Sequence, residues 1–511
     1  MRKLFLLSLI FLCLGCSPQE EPKKQPEVVL NVNPTTLSFS AEGGSQDVVV
    51  TSSASPLVSP WDNWITHSKG SFASNKVTIT LTAAENKVAQ TRTTRVSFVN
   101  GDEKVYVDIT QEAGKPEPGE DVGPGPDFSN MPVPTDNAAW AVSSKLGIGW
   151  NLGNHFDAHI NGKSSETAWG NPKATQATMD AVKKAGFNTV RIPVTWMGHI
   201  GEAPDYKIED AWLNRVAEVV GYAEKAGLNV VLNMHHDGAD SKYWLNIKNA
   251  AKSATSQEQI VSQLTKMWTQ IAEKFKDKGD FLIFECCNEI HDGGWGWGEN
   301  RSDGGKQYRC LNEWNAAFVS AVRAVGGENA NRYLGVPAYC TNVDLAIESF
   351  VMPEDNVKDK LILSVHCYDP YDYCLSAKYS QWGHTAASAN KVSGDNESQL
   401  MSVFQKIYQH YISNGIPVYL GEFGCVNRET EKQQRFQRYY LKFYASLSRT
   451  FGVPSMIWDN GAKGSGAETH AFIDHGTGKY QSKEGQLAIE ALVSTYKDVA
   501  ATPEKVYGQA P

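Results

Sequence analysis

Between residues 28 and 113 apolar and polar positions alternate. "VVLNVNPTTLSFSAEGGSQDVVVTSS" reads as strands that turn at Gly43-Gly44. "KVTITLTAAEN" and "RTTRVSFVNGDEKVYVDITQEA" keep the same period of two, the latter folding back at Asn100-Gly101. Short strands at regular intervals predict a small all-β, immunoglobulin-like sandwich over 29–113. The Pro/Gly-rich, acidic stretch "GKPEPGEDVGPGPD" opens a linker of limited flexibility over 114–135. Past Trp140 the period changes. Strand-like runs at 146–153, 188–196, 229–238, 281–289, 332–342, 361–370, 417–425 and 454–461 alternate with amphipathic helical stretches such as "DAWLNRVAEVVGYAEKAG". Two of those helices close on Ala-Gly, a fitting stop before a strand. Eight strand–helix units over 136–500 predict an α/β fold, a (β/α)8 TIM barrel with enlarged loops. A doubly wound sheet is the alternative, but no glycine-rich phosphate loop follows the first strand.

The N-terminus adds a destination. "MRKLFLLSLIFLCLGC" has a basic start and an apolar run from Leu4 to Leu14, the pattern of a secretory signal over 1–16. That run is too short for a stable transmembrane anchor. Its closing Gly15-Cys16 resembles the lipobox of bacterial lipoproteins, with Cys13 where Leu is usual, and implies acylation of Cys16. Residues 17–28 read as a polar tether. The chain is therefore expected to be exported and held at the cell surface or outer membrane by a lipid anchor. Plain secretion after cleavage near Cys16 is the alternative.

Composition narrows the partners. The 511 residues carry a net charge of −9 and no Lys/Arg block, so nucleic acid is not expected. The 14 Trp and 20 Tyr suit a ligand that stacks on flat faces. Of 9 cysteines, those other than Cys13 and Cys16 show neither CxxC nor metal-type spacing, so buried thiols and no metal are expected. No organic cofactor is implied, and a monomer is expected.

Barrel active sites lie where the strands end. Reading those ends in order gives Asn151, Arg191, His235-His236, Asn288-Glu289, His366 with Tyr368, Glu422 and Trp458. Each of these polar groups costs desolvation unless paired, and their recurrence at one end of the barrel points to a site. In "FLIFECCNEIHDGGWGWG", strand alternation puts Glu285, Cys287 and Glu289 on one face. Glu285 lies deeper and reads as a lumen charge held by an Arg or His. Val418, Leu420 and Glu422 share a face by the same rule. Two glutamates converging from opposite strands suit glycoside hydrolysis. Trp295 and Trp297 follow in a glycine-rich loop and either line the cleft or pack within the loop.

"NE" closing the fourth strand and "GEFG" closing the seventh resemble glycoside hydrolase family 5. "GWNLGN", "ETAWGNP", "NTVRIPVTW", "NMHHDG", "HCYDPY" and "WDNG" resemble its subfamily 4 β-glucanases, over roughly 140–500. The resemblance implies Glu289 as acid/base and Glu422 as nucleophile, with Arg191 and Tyr368 orienting Glu422. It implies Asn288 on the sugar 2-hydroxyl, His366 beside Glu289, Trp458 under the reacting sugar, His235 as the family histidine and His236 lining the cleft. His155 stands where members usually carry Thr. The implied activity is retaining, endo-acting hydrolysis of a β-1,4-glucan, with xyloglucan first and mixed-linkage glucan or cellulose next. A catalytically dead glycan-binding surface lipoprotein is the rival. An apolar strand around Glu289 is expected to raise its pKa. The N-terminal segment resembles BACON-type modules, with Trp61, Trp64, Phe72 and Tyr106 as the candidate aromatics; spacer and glycan binder are both open, the spacer favoured.

Overall fold

The structure is a computed structural model that describes residues 29–511 apart from 61, 63, 87–90, 102, 115–124 and 395–396. The signal segment, the tether, Cys16, Trp61 and residues 115–124 of the linker lie outside the described residues. The chain divides into two compact units, Met1–Glu120 and Asp121–Pro511.

In the first unit eight strands form two four-stranded sheets. They are β1 (Leu30–Asn33), β2 (Thr36–Phe39), β3 (Gly44–Ser52), β4 (Leu57–Pro60), β5 (Ile65–Lys69), β6 (Lys76–Ala83), β7 (Arg92–Asn100) and β8 (Glu103–Gln111). The sheet orders are β1-β3-β6-β5 and β2-β8-β7-β4. Alternation works as read: Val48 and Val50 are buried while Val49 between them is exposed. Ile79, Leu81, Val96, Phe98 and Val107 complete one core. Gly43 adopts φ +79°, and a Cβ there would strike the carbonyl of Ala83, so this turn needs glycine. Trp64 and Phe72 pack against the core, and the Arg92 guanidinium covers Trp64 at 4.2 Å.

The second unit holds the barrel. Its strands are β9 (Ile148–Asn151), β12 (Thr189–Ile192), β13 (Asn229–Asn233), β14 (Leu282–Glu285), β15 (Leu334–Pro337), β16 (Leu361–His366), β17 (Val418–Phe423) and β18 (Ser455–Ile457). A small hairpin, β10 (His159–Ile160) and β11 (Lys163–Ser164), intervenes after β9. The eight longer strands are all parallel and close on themselves, β9 pairing with both β12 and β18. They are short and apolar because helices cover the outside and side chains fill the inside. Helices Gln176–Ala185 and Asp210–Ala226 end on Gly186 and Gly227, both left-handed, where the sequence puts its Ala-Gly stops. Helix Ala138–Leu146 packs Val142 and Leu146 onto Val231, Ile283, Ile362, Tyr419 and Met456, plugging the barrel where its strands begin.

Two readings need correction. Glu289 does not end a regular strand: β14 stops at Glu285, and the chain runs on irregularly, tied by Cys286 N–H to Gly335 O (3.0 Å) and Asn288 N–H to Met234 O (2.8 Å). Val418, Leu420 and Glu422 do not share a face either. Val418 and Leu420 join the outer core, while Tyr419 reaches into the lumen beside Glu285. The pairing of β16 with β17 slips between Val365 and His366, so His366 meets Glu422 instead of residue 421. That bulge reverses the alternation and turns Glu422 inward.

Candidate active site

The floor of the site is organised by Arg191, whose guanidinium is fully buried. Its Nε donates to Glu285 Oε2 (2.9 Å) and its Nη1 to both Asn151 Oδ1 (3.1 Å) and Glu422 Oε1 (2.7 Å). Its Nη2 donates to Asn288 Oδ1 (2.8 Å). Asn151 in turn donates to the carbonyls of Gly421 and Met456, which fixes its oxygen toward Arg191. Glu285 also accepts from Asn233 Nδ2 (2.8 Å), Ser364 Oγ (2.6 Å) and Tyr419 Oη (2.9 Å). Glu285 is therefore the lumen charge the sequence suggested, and an arginine holds it. Burial alone would raise its pKa. The charges of Arg191 and His366, then the Ser364 and Tyr419 hydrogen bonds, bring it below the ordinary carboxylate value.

Above this floor the two glutamates meet. Glu422 is held at both oxygens, by Arg191 at Oε1 and by Tyr368 Oη at Oε2 (3.0 Å). His366 Nδ1 lies 2.7 Å from Glu289 Oε1 and 3.8 Å from Glu422 Oε2. One oxygen of each glutamate and a His366 nitrogen all lie within 4.8 Å of one another. The expected rise in the Glu289 pKa is not what the surroundings give. Burial does push it up, but the His366 hydrogen bond and charge, then His291 and Arg191, hold it below its ordinary value. The expectation weighed only the apolar strand and left out the influence of His366, which the resemblance already puts beside Glu289.

His235 stacks at 6.0 Å and 7° on Trp458, with His236 edge-on to it at 4.5 Å. Trp458 rests against Gly153, where a Cβ would press into its ring. Burial, then His236, Arg191 and His366, lowers the His235 pKa well below the ordinary value. Burial likewise takes His236 down to about 4. His236 Nε2 lies 3.7 Å from Asp157, a fully buried carboxyl that sequence reading missed and that burial lifts to about 7. Asp157, His235 and His236 offer a metal-like donor set, but the Asp157 oxygens already accept N–H groups from Asn154 and His155. His155 is turned away from the cleft, fully buried against the carbonyl of Pro172 (3.0 Å).

The loop after Glu289 winds around Asp292, whose carboxylate accepts from Gly294 N–H (2.9 Å), Asn300 N–H (3.0 Å) and Gln307 (3.3 Å). Gly294 and Gly298 pass so close that a Cβ on Gly298 would strike that carboxylate. Two tryptophans project from it, Trp295 56% and Trp297 81% exposed. Trp295 takes φ +49° and lies 4.2 Å from His291 at 31°. Arg301 sits 4.8 Å over the Trp297 ring and pairs with Glu348 at 2.7 Å. Each ring thus stands largely in solvent with one face against a residue of its own loop. All seven remaining cysteines are free thiols, six of them buried.

With this geometry in hand, the family model described as "Cellulase (glycosyl hydrolase family 5)" matches residues 153–464. The chain belongs to glycosyl hydrolase family 5. Endoglucanase A of Paenibacillus barcinonensis is 35% identical over 340 residues, 63% of this chain and 82% of the relative. The xyloglucan-specific endo-beta-1,4-glucanase BoGH5A of Bacteroides ovatus is 31% identical over 509 residues, 96% of each chain. Among solved structures, a GH5-4 broad specificity endoglucanase from Bacteroides salanitronis has a TM-score of 0.70 and 50% identity, covering 74% of this chain and all of its own. The matched region contains every family 5 site residue named above from Arg191 to Trp458; Asn151 lies just before it.

Proposed function

We propose that this family 5 enzyme is an endo-acting β-1,4-glucanase of the subfamily 4 type that retains anomeric configuration, with xyloglucan as its favoured substrate. The observation that carries the mechanism is the pair of glutamates within 4.8 Å, one held at both oxygens and the other beside His366. A retaining enzyme needs its two carboxyl groups roughly 5–5.5 Å apart, and an inverting one needs space for a water between them. Glu422 attacks the anomeric carbon while Glu289 gives its proton to the departing sugar oxygen. Water, deprotonated by Glu289, then cleaves the ester, so the β-configuration returns. Arg191 and Tyr368 hold and aim Glu422, Asn288 presents an N–H for the 2-hydroxyl, and Trp458 lies under the ring.

Glu289 protonates the leaving group, so the surface beside it takes the aglycone. His291 acts on Glu289 electrostatically and lies tilted against Trp295, which makes Trp295 and then Trp297 the aglycone wall. A wall 56% and 81% exposed leaves room for branches, in support of xyloglucan. The end-to-end match with a xyloglucan-specific relative supports the same choice. The 50% identity to a broad specificity endoglucanase favours a second reading, in which mixed-linkage glucan and cellulose are cleaved as well. Kinetics on a polysaccharide panel separate the two; highest kcat/KM on mannan or xylan would remove both. Release of the α-anomer first, followed by NMR, would refute retention.

The N-terminal unit is read as an immunoglobulin-like BACON-type spacer, because its best-placed aromatic, Trp64, is already covered by Arg92. The monomeric enzyme is read as a cell-surface or outer-membrane lipoprotein acylated at Cys16. Detergent-phase partitioning of wild type but not of Cys16→Ala is the expected result, and equal partitioning would remove the anchor.

A further inference from the structure

His235 sits between two amide NH2 groups. Asn233 Nδ2 is 3.2 Å from its Nδ1, and Asn288 Nδ2 is 3.3 Å from its Nε2. Neither amide can turn around. Asn233 Oδ1 accepts the backbone N–H of Val194 (3.1 Å), and its Nδ2 donates to Glu285 (2.8 Å). Asn288 Oδ1 accepts from Arg191 (2.8 Å). Both therefore offer N–H groups to the ring, yet a neutral imidazole has a single nitrogen lone pair to accept one. Only one of the two can be satisfied.

Glu422 decides between them. Its Oε1 lies 3.8 Å from His235 Nε2, so a lone pair on Nε2 would face a carboxylate, whereas an N–H there is attracted to it. Asn288 has another use for its N–H once a sugar hydroxyl arrives, while Asn233 is walled into the floor with no exposure. We infer that Asn233 is a positioning residue that fixes the proton of neutral His235 on Nε2, facing Glu422 and the reacting sugar. His235 is then a permanent hydrogen-bond donor to the sugar or the nucleophile, never a base. The groups that face it are Glu422 from β17, Arg191 from β12, His366 from β16 and its neighbour His236, with Trp458 against its flat side. Burial and the three cationic or cation-capable neighbours keep the ring neutral. The role rests on the reading of Glu422 as nucleophile, but the proton's position does not.

The test is ring-nitrogen NMR on the full chain, with histidine isotope-labelled at both ring nitrogens and His235 assigned by difference from His235→Gln. No substrate is present, so the result is independent of whether the glycosidase reading holds. The expected wild-type pattern is a protonated Nε2 and a bare Nδ1. A protonated Nδ1 would overturn the inference and hand control to Asn288. In Asn233→Asp the new side-chain oxygen shares a proton with Glu285 Oε2 and still accepts from Nδ1–H, so the His235 proton should move to Nδ1. The kcat should then fall about tenfold or more, as for one lost hydrogen bond to the transition state, with KM little changed. If that variant fails to fold, Asn233→Ala serves: a mixture of both tautomers is expected. An unaltered Nε2–H in either variant overturns the role of Asn233.

Discussion

At the floor of the barrel Glu285 is fully buried and takes hydrogen bonds from Arg191, Asn233, Ser364 and Tyr419. At the rim Trp295 and Trp297 stand in solvent on a loop wound around Asp292. In the floor the nitrogens of Arg191 and both oxygens of Glu285 have assigned partners, so removing one strands another in a dry interior. In the rim the backbone is pinned from below and the side chains are free to be exchanged. On the function proposed above, the difference separates two tasks: the floor serves the chemistry, and the rim serves the choice of polymer.

The comparison breaks most completely at Glu422. In Glu422→Ala, Arg191 keeps Glu285 and the oxygens of Asn151 and Asn288 as partners, so the fold is expected to stand at reduced stability. No ester can form, and hydrolysis of any β-glucan should drop by at least about 10³-fold. Thermal unfolding beside reducing-sugar release checks both halves, and near wild-type turnover would sink the assignment. Glu285→Ala acts on the same arginine from the other side. It leaves a fully buried charge with half its compensation, an error of about 3–5 kcal/mol in a core of this kind. The Glu285 pKa is depressed by folding, so its contribution is present above the ordinary carboxylate range and is lost as pH falls through the lowered value. The gap in urea midpoint between wild type and Glu285→Ala should therefore shrink on strong acidification. A gap that widens there would mean the carboxylate is not held as described.

Much of this was legible before any coordinates. Arg191, Asn288, Glu289, His366, Tyr368 and Glu422, which the structure brings together, stand out in the sequence because polar residues at apolar strand ends need a reason. The barrel followed from strand-like runs alternating with helices. What escaped was set by register. Strict alternation puts Val418 and Leu420 on the face of Glu422, but Tyr419 is the lumen residue, and the slip in pairing at Val365 and His366 brings Glu422 to the same side. Ser364 and Asn233 look like ordinary strand residues until the closed barrel brings them to Glu285. The pKa of Glu289 was misjudged because its own segment is apolar, while His366 arrives from a strand 77 residues further along.

His366 offers the next test, where floor and rim touch. It is the principal group holding Glu289 below its ordinary value once burial is set aside. The acid form of Glu289 must be present for leaving-group departure, so a lowered pKa brings the basic limb of kcat/KM to lower pH. His366→Ala removes that influence, and the basic limb should move to higher pH. The kcat should fall roughly 10²-fold, at the low end of proton-transfer contributions. A limb that moves to lower pH would contradict the contact as described.

The smallest effects belong to the rim, and they sharpen the comparison by what they leave alone. Trp295 is linked to Glu289, the proposed acid, through His291, with the two rings 4.2 Å apart. Truncation to Ala removes a stacking surface for the departing sugars without touching a floor hydrogen bond. The kcat/KM on xyloglucan should fall about tenfold, the equivalent of ~1.4 kcal/mol of lost contact. On an aryl β-cellobioside, whose small leaving group does not reach the loop, it should be unchanged, as should the melting temperature. Trp297 lies further out and is held on one face by Arg301, so Trp297→Ala should cost only a few-fold on polymer, within the range of a single exposed aromatic contact. Equal losses on polymer and aryl substrate would place Trp295 in the catalytic floor instead, and no loss on either would return both tryptophans to the surface.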